Sequence, residues 1–146
     1  MIDFASEFAE LPTRDYAVGD AIMEEGGRTS SLFFLVSGRV RVSRGGIVLA
    51  DLSDTGDVFG EVSVLLDRPN VVDVRMIEPT TFRVAEDAVD FIRKHPDLNL
   101  YLARTLAKRV DAMVCYLANL KQQYGDDATH LGMVDDVLGS LLHLRR

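Results

Sequence analysis

The sequence predicts an α+β fold, with short strands first and helices last, and three observations carry that prediction. Between Thr13 and about Glu86, runs of β-branched and aromatic residues are cut at intervals by glycine, as in "YAVGD", "LVSGRV", "SRGGIV" and "DTGDVFG". Short strands at fairly regular spacing with turn signals between them indicate a sandwich or barrel. After Glu86 the apolar residues recur at steps of three and four, the period of a helix. The length, 146 residues of which 47% are hydrophobic, gives one domain with a genuine core and is too short for two.

The elements follow in order. In "MIDFASEFAEL" the helical spacing of Phe4, Phe8 and Leu11 predicts a short amphipathic helix. "GRVRV" (38–42) alternates basic and apolar residues, the mark of a strand wet on one face, and "RGG" (44–46) offers glycines for a tight hairpin turn. "VGDAIMEEG" (18–26) and "TGDVFGEVS" (55–63) echo each other, which favours a double-wound roll. "AVDFIRKHP" (88–96) reads as a short helix stopped by Pro96, which can begin the next helix at its first turn. In that long helix Leu106, Val110, Met113, Leu117, Leu120 and Tyr124 alternate steps of four and three, a heptad seam, and Gly125 can cap its end. A last segment over 130–146 gathers Leu131, Val134, Leu138, Leu141 and Leu142 on one face, with Asp135 and Asp136 off it.

Composition narrows the function. Acidic residues outnumber basic ones, 23 to 16, and the net charge of −7 repels a phosphate backbone, so no DNA binding is expected of this chain alone. The longest apolar run, "LFFLV" (32–36), is strand-sized rather than the ~20 residues of a membrane span, and "MIDFASEF" lacks the pattern of a secretory signal. The single cysteine, Cys115, excludes an internal disulfide and fits a reducing cytoplasm. His95, His130 and His143 all fall in the helical part, so the strands carry no histidine set for a metal. No nucleophile elbow, Walker loop or zinc-type cysteine spacing is present, and the expectation is a non-catalytic protein without a metal.

The candidate site lies in "GDVFGEVSVLLDRPNVVDV" (56–74). Gly60 lets the backbone approach an anion without a side chain in the way. A short helix after it points free N–H groups at a ligand, and Glu61 can accept hydrogen bonds from a sugar hydroxyl. With "YAVGDAIMEEGGRTSSLFFLVSGRVRV" before it and "LARTLAKRVDAM" after it, residues 13–121 resemble the cyclic-nucleotide-binding domain of catabolite activator protein, protein kinase A regulatory subunits and cyclic-nucleotide-gated channels. The resemblance implies an antiparallel, jelly-roll-like β-roll flanked by helices, with the final long helix often forming a dimer interface. It also implies boundaries: a cyclic-nucleotide-binding-like domain over 1–125, with the roll at 13–86 and the long helix at about 97–124, then an amphipathic helix over 126–146.

The family's phosphate cassette reads roughly F-G-E-[LIV]-[AS]-L, a few variable residues, then P-R-[ST]-A-[ST]-V. Phe59, Gly60, Glu61, Val62 and Ser63 fit the first half, with Val64 in the next place. In the second half Pro69 matches, but Asn70 stands at the arginine position, Val71 at the first Ser/Thr position and Asp73 at the second. Arginine would grip the cyclic phosphate with two parallel N–H bonds. At ~1.5–3 kcal/mol for each charged bond, losing the pair removes about two or more decades of affinity. Two cations lie nearby: Arg68 in the loop, and Arg75, placed with Val71 and Asp73 on one strand face if the strand spans 71–77.

Several residues keep two readings. Glu61 is a ribose ligand or an acid in a helical first turn. Ser63 is a phosphate donor or a solvent-facing serine. Asn70 reads an uncharged group or forms a turn. Tyr116 covers a base or packs against the protein. The expectation is a non-catalytic regulatory protein, dimeric through Leu106, Val110, Met113, Leu117 and Leu120, that acts on another protein and binds cAMP or cGMP weakly, binds a different ligand or stays empty. The alternative is a genuine cAMP or cGMP sensor in which Arg68 or Arg75 supplies the charge. The C-terminal helix at 130–144 either packs on its own domain or docks on a protein partner.

Overall fold

A computed structural model describes residues 8–123 and 128–143 and divides the chain into two compact units, 1–98 and 99–146. The first unit opens with β1 (Thr13–Tyr16), β2 (Ala21–Met23), β3 (Leu32–Ser37), β4 (Val40–Arg44), β5 (Ile47–Leu52) and β6 (Val58–Phe59). There follow α1 (Glu61–Leu66), β7 (Asp73–Met76), β8 (Thr80–Ala85) and α2 (Ala88–Lys94). Next come α3 (Pro96–Gln123) and, in the second unit, α4 (Ala128–His143). The expected α+β order holds, and among the described residues the strands all fall between Thr13 and Ala85. Most of the expected N-terminal helix lies outside the described residues, and its described end is a turn closed by the Leu11 N–H donating to the Phe8 carbonyl.

The strands form two antiparallel four-stranded sheets, in the orders β1-β8-β3-β6 and β2-β7-β4-β5. Consecutive strands alternate between sheets except at the β4–β5 hairpin, so the chain winds as a double roll. The echoed segments 18–26 and 55–63 contain β2 and β6, one edge strand in each sheet. The hairpin turn is Gly45–Gly46, with φ of 57° and 80°. Positive φ at both central residues is the requirement of the turn that matches strand twist, and two glycines meet it without strain.

Sheet alternation sorts the side chains. Phe33, Leu35, Phe59, Phe82 and Val84 from the first sheet meet Met23, Val40, Val74 and Met76 from the second in one buried core. Phe82 is its hub: the rings of Tyr16, Phe33 and Phe59 stand nearly perpendicular to it at ring-centre distances of 5.7, 5.8 and 6.0 Å. Such edge-to-face pairs add ~0.5–1.5 kcal/mol each beyond burial.

The "GRVRV" alternation appears as read: Val40 is buried and Arg41 is exposed on the outer face of the second sheet. There Arg41 grips Asp51 on β5 with two bonds, Nε to Oδ1 at 2.8 Å and Nη2 to Oδ2 at 3.0 Å, and Arg39 stands 4.0 Å from the same carboxylate. Arg41 also sits directly across from Arg75, a like-charge neighbour whose repulsion Asp51 offsets.

In the second unit the long helix ends at Gln123, and the expected cap at Tyr124–Gly125 lies outside the described residues. On α4, Val134, Leu138 and Leu141 are half-buried while Met133, Val137 and Leu142 are exposed; the side chains of His130, Leu131 and His143 lie outside the described residues. Lys121 of α3 pairs with Asp135 of α4. No helix among the described residues is long and apolar enough to cross a membrane.

The hydrogen-bonded Arg41 guanidinium holds the Asp51 carboxyl below its ordinary range. A carboxylate lowered by folding adds stability above its unfolded value, and that stability is lost as pH falls through the folded value. Carboxyl-resolved NMR titration should therefore find Asp51 titrating below a reference aspartate, and Arg41→Ala should return it toward the reference.

Candidate functional site

The expected cassette is assembled around α1. Phe59, buried at the end of β6, belongs to the core beneath Phe82 and places the next residue, Gly60, at the helix start. Gly60 has φ of 93°, and a Cβ there would lie 2.5 Å from the Ser31 carbonyl oxygen and 3.2 Å from Thr29 Cγ2. Backbone therefore packs on backbone at this point, and only glycine fits.

Glu61 and Ser63 are buried at 7% and 5% exposure, Val62 and Val71 are half-buried, and Val64 follows on the helix. Glu61, at the first position of α1, is an acid where free N–H groups favour one. The Ser63 hydroxyl donates to the Arg68 carbonyl at 2.8 Å and accepts the Thr29 N–H at 3.2 Å. Its expected choice between phosphate donor and solvent-facing serine thus gains a third reading, an internal tie.

Asn70, the residue at the arginine position, is 5% exposed. Its Nδ2 donates to the Glu24 carbonyl at 3.2 Å and to Thr29 Oγ1 at 2.9 Å. Its backbone joins the same loop: Asn70 N–H donates to the Gly27 carbonyl at 2.7 Å, and Gly26 N–H donates to the Asn70 carbonyl at 2.9 Å. Asn70 Oδ1 is buried with no hydrogen-bond partner among the described residues. The amide is oriented by Glu24, since only its nitrogen can face a carbonyl oxygen.

The strand after the cassette starts at Asp73 rather than Val71, so the expected shared face of Val71, Asp73 and Arg75 is shorter than read. Val72 packs against the core from outside the strand. Within β7, Val74 and Met76 point into the core, which turns Asp73 and Arg75 outward. Asp73 Oδ1 accepts the Glu25 N–H at 2.7 Å, so the aspartate at the second Ser/Thr position is tied to the same loop. Arg75 is exposed with Glu24 3.7 Å away, and Arg68 is exposed in the turn. Arg28 pairs with Asp67 across the loop at 3.2 Å.

The structure thus brings Gly60, Ser63 and Asn70 together on one segment, residues 24–31, and leaves Arg68 and Arg75 in solvent. Sequence reasoning missed Thr29, the acceptor for Asn70 and the donor to Ser63. A threonine after "GGR" carries no signal of its own. Among the described residues no group of three or more histidine, cysteine, aspartate or glutamate side chains is placed to hold a metal.

Residues 13–89 match the profile of the cyclic nucleotide-binding domain. Over 98 residues the chain is 38% identical to "Glutaminase 2" of Bradyrhizobium diazoefficiens, covering 65% of this chain and 15% of that protein. It is 35% identical over 68 residues to a cAMP-dependent protein kinase regulatory subunit of Debaryomyces hansenii, covering 47% of this chain and 15% of that one. The chain thus spans a small part of the curated relatives it matches. In three dimensions it is similar to the catabolite activator protein of Thermus thermophilus, with a TM-score of 0.63 and 23% identity over 95% of this chain and 80% of the other.

Gly60→Ala should destabilise the protein by about 2 kcal/mol or more, because it combines a strained φ with a clash against backbone that cannot step aside. Chemical denaturation monitored by circular dichroism checks this, and an unchanged midpoint would contradict the packing described.

Proposed function

The chain belongs to the cyclic nucleotide-binding domain family, and from that premise we propose that it is a non-catalytic regulatory module with weakened or altered nucleotide binding. It acts through contacts with another protein. The observation that carries this reading is Asn70: it stands where the family pattern has arginine, and its amide nitrogen is already bonded to Glu24 and Thr29. A side chain so engaged offers a cyclic phosphate neither positive charge nor a paired donor. Val71, beside it, offers no hydroxyl. The first half of the cassette, Phe59 to Ser63, is retained, so a sugar-like group is the part of a nucleotide that the site is best suited to hold.

The short stretch shared with a longer glutaminase, 15% of its length, supports reading this unit as a module that serves a larger system. Two further features belong to the same reading. The chain is non-catalytic in this reading: Ser63 and Asn70, two buried polar side chains of the cassette, are tied to Glu24, Thr29 and Arg68. It forms a homodimer through α3, whose seam residues Val110 and Met113 are 40% and 47% exposed in the single chain. Leu106, Leu117 and Leu120 are half-buried along the same row.

Isothermal titration calorimetry with cAMP and with cGMP should give dissociation constants in the high micromolar range or weaker, and micromolar or tighter binding would overturn the reading. Asn70→Arg combined with Val71→Ser should tighten cAMP binding tenfold or more. If instead the wild-type chain binds tightly and Arg68→Ala or Arg75→Ala abolishes ligand-induced thermal stabilisation, the rival reading of a sensor with a substitute arginine is correct. For the dimer, sedimentation equilibrium should find two copies associated, and Met113→Lys should shift the particle to one copy without changing its helical content.

A further inference from the structure

Loop 24–29 meets the cassette at Ser63, Asp67, Asn70 and Asp73, and the last two are residues whose types depart from the family pattern. Asn70 binds the loop through its amide nitrogen, at Glu24 and Thr29, and through both backbone groups, at Gly26 and Gly27. Asp73 accepts from the Glu25 N–H at 2.7 Å, and Ser63 accepts from the Thr29 N–H at 3.2 Å. From the loop the connections continue outward: the Glu25 carboxylate accepts the Gly45 N–H at 3.1 Å, at the turn of the β4–β5 hairpin. Beyond that turn, Ile47, Val48 and Leu49 are 68%, 53% and 56% exposed.

From these contacts we infer that Asn70 is a positioning residue, an internal latch that holds loop 24–29 closed on the cassette without any ligand and, through Glu25, fixes the tip of the β4–β5 hairpin. The inference rests on the reading that the cassette has lost its phosphate grip, and it deepens that reading. The substitution at the arginine position both removes a charge and supplies a cross-link. Two facts single out an amide for the task. Its nitrogen carries two N–H groups, and the loop presents two acceptors, the Glu24 carbonyl and Thr29 Oγ1, in reach of one nitrogen. Aspartate could donate to neither, and its charge would oppose the Glu24 carbonyl. The buried Oδ1 accepts from no described residue, so the donors, not the acceptor, account for the side chain's placement. Asp73 works in the same sense, since a carboxylate is a stronger acceptor for the Glu25 N–H than the hydroxyl the family pattern puts there.

Residue-resolved hydrogen exchange on the nucleotide-free chain tests the latch. Asn70→Ala should speed exchange tenfold or more at Glu25, Gly26, Thr29 and Gly45, while the amides of β8 at Phe82 and Val84 keep their wild-type protection. Unchanged exchange in the loop would overturn the inference, and so would equal acceleration across β8, which would mark Asn70 as a residue of general stability. Thr29→Val removes one acceptor and leaves the fold's core untouched. Its effect on loop exchange should be smaller, and in the double variant the two effects should fall short of their product; a full product would show that the residues act independently and would sink the latch. Calorimetry on the wild type is a separate readout. Tight nucleotide binding together with local loosening in Asn70→Ala would end the reading of a weakened pocket and leave the latch standing.

Discussion

The architecture depends on the ring of Phe82. It lies on β8, is wholly buried, and packs nearly at right angles to the rings of Tyr16, Phe33 and Phe59 from the three other strands of its sheet. Because Phe59 immediately precedes Gly60, this contact also sets where the cassette begins. The backbone of Gly60 is then pressed against Ser31, and α1 follows in a direction fixed at both ends. Core packing and site geometry are therefore one construction.

That dependence separates two kinds of residue in the cassette. Phe59 and Gly60 are held by the fold and would be required whether or not a ligand binds. Asn70, Val71 and Asp73 have no such obligation to the core, and there the chain departs from the pattern it otherwise follows. Asn70 brings no positive charge to its position, and with Asp73 it ties the loop of residues 24–29 to the cassette.

Much of the fold was legible because periodicity and glycine placement are local signals. "LFFLVS" with its buried residues, the Gly45–Gly46 turn and the Pro96 boundary each follow from a few neighbouring residues. The site was legible only in part. Glycine at position 60 announces a close backbone approach, but nothing local says that Ser31 is the neighbour. Asn70 closes no turn of its own: its backbone bonds run to Gly26 and Gly27, and its side-chain bonds lie 41 and 46 residues away in sequence, at Thr29 and Glu24. The start of β7 at Asp73 also escaped periodicity, because Val71 and Val72 look like strand and yet precede it.

The exposed run Ile47–Val48–Leu49 on an edge strand has a colloidal consequence. Such greasy edges invite sticking between copies, and here the net charge of −7 supplies the long-range repulsion that opposes it. That barrier thins in concentrated salt and shrinks as pH falls toward the isoelectric point near 4.9, which weakens the protection of this hairpin.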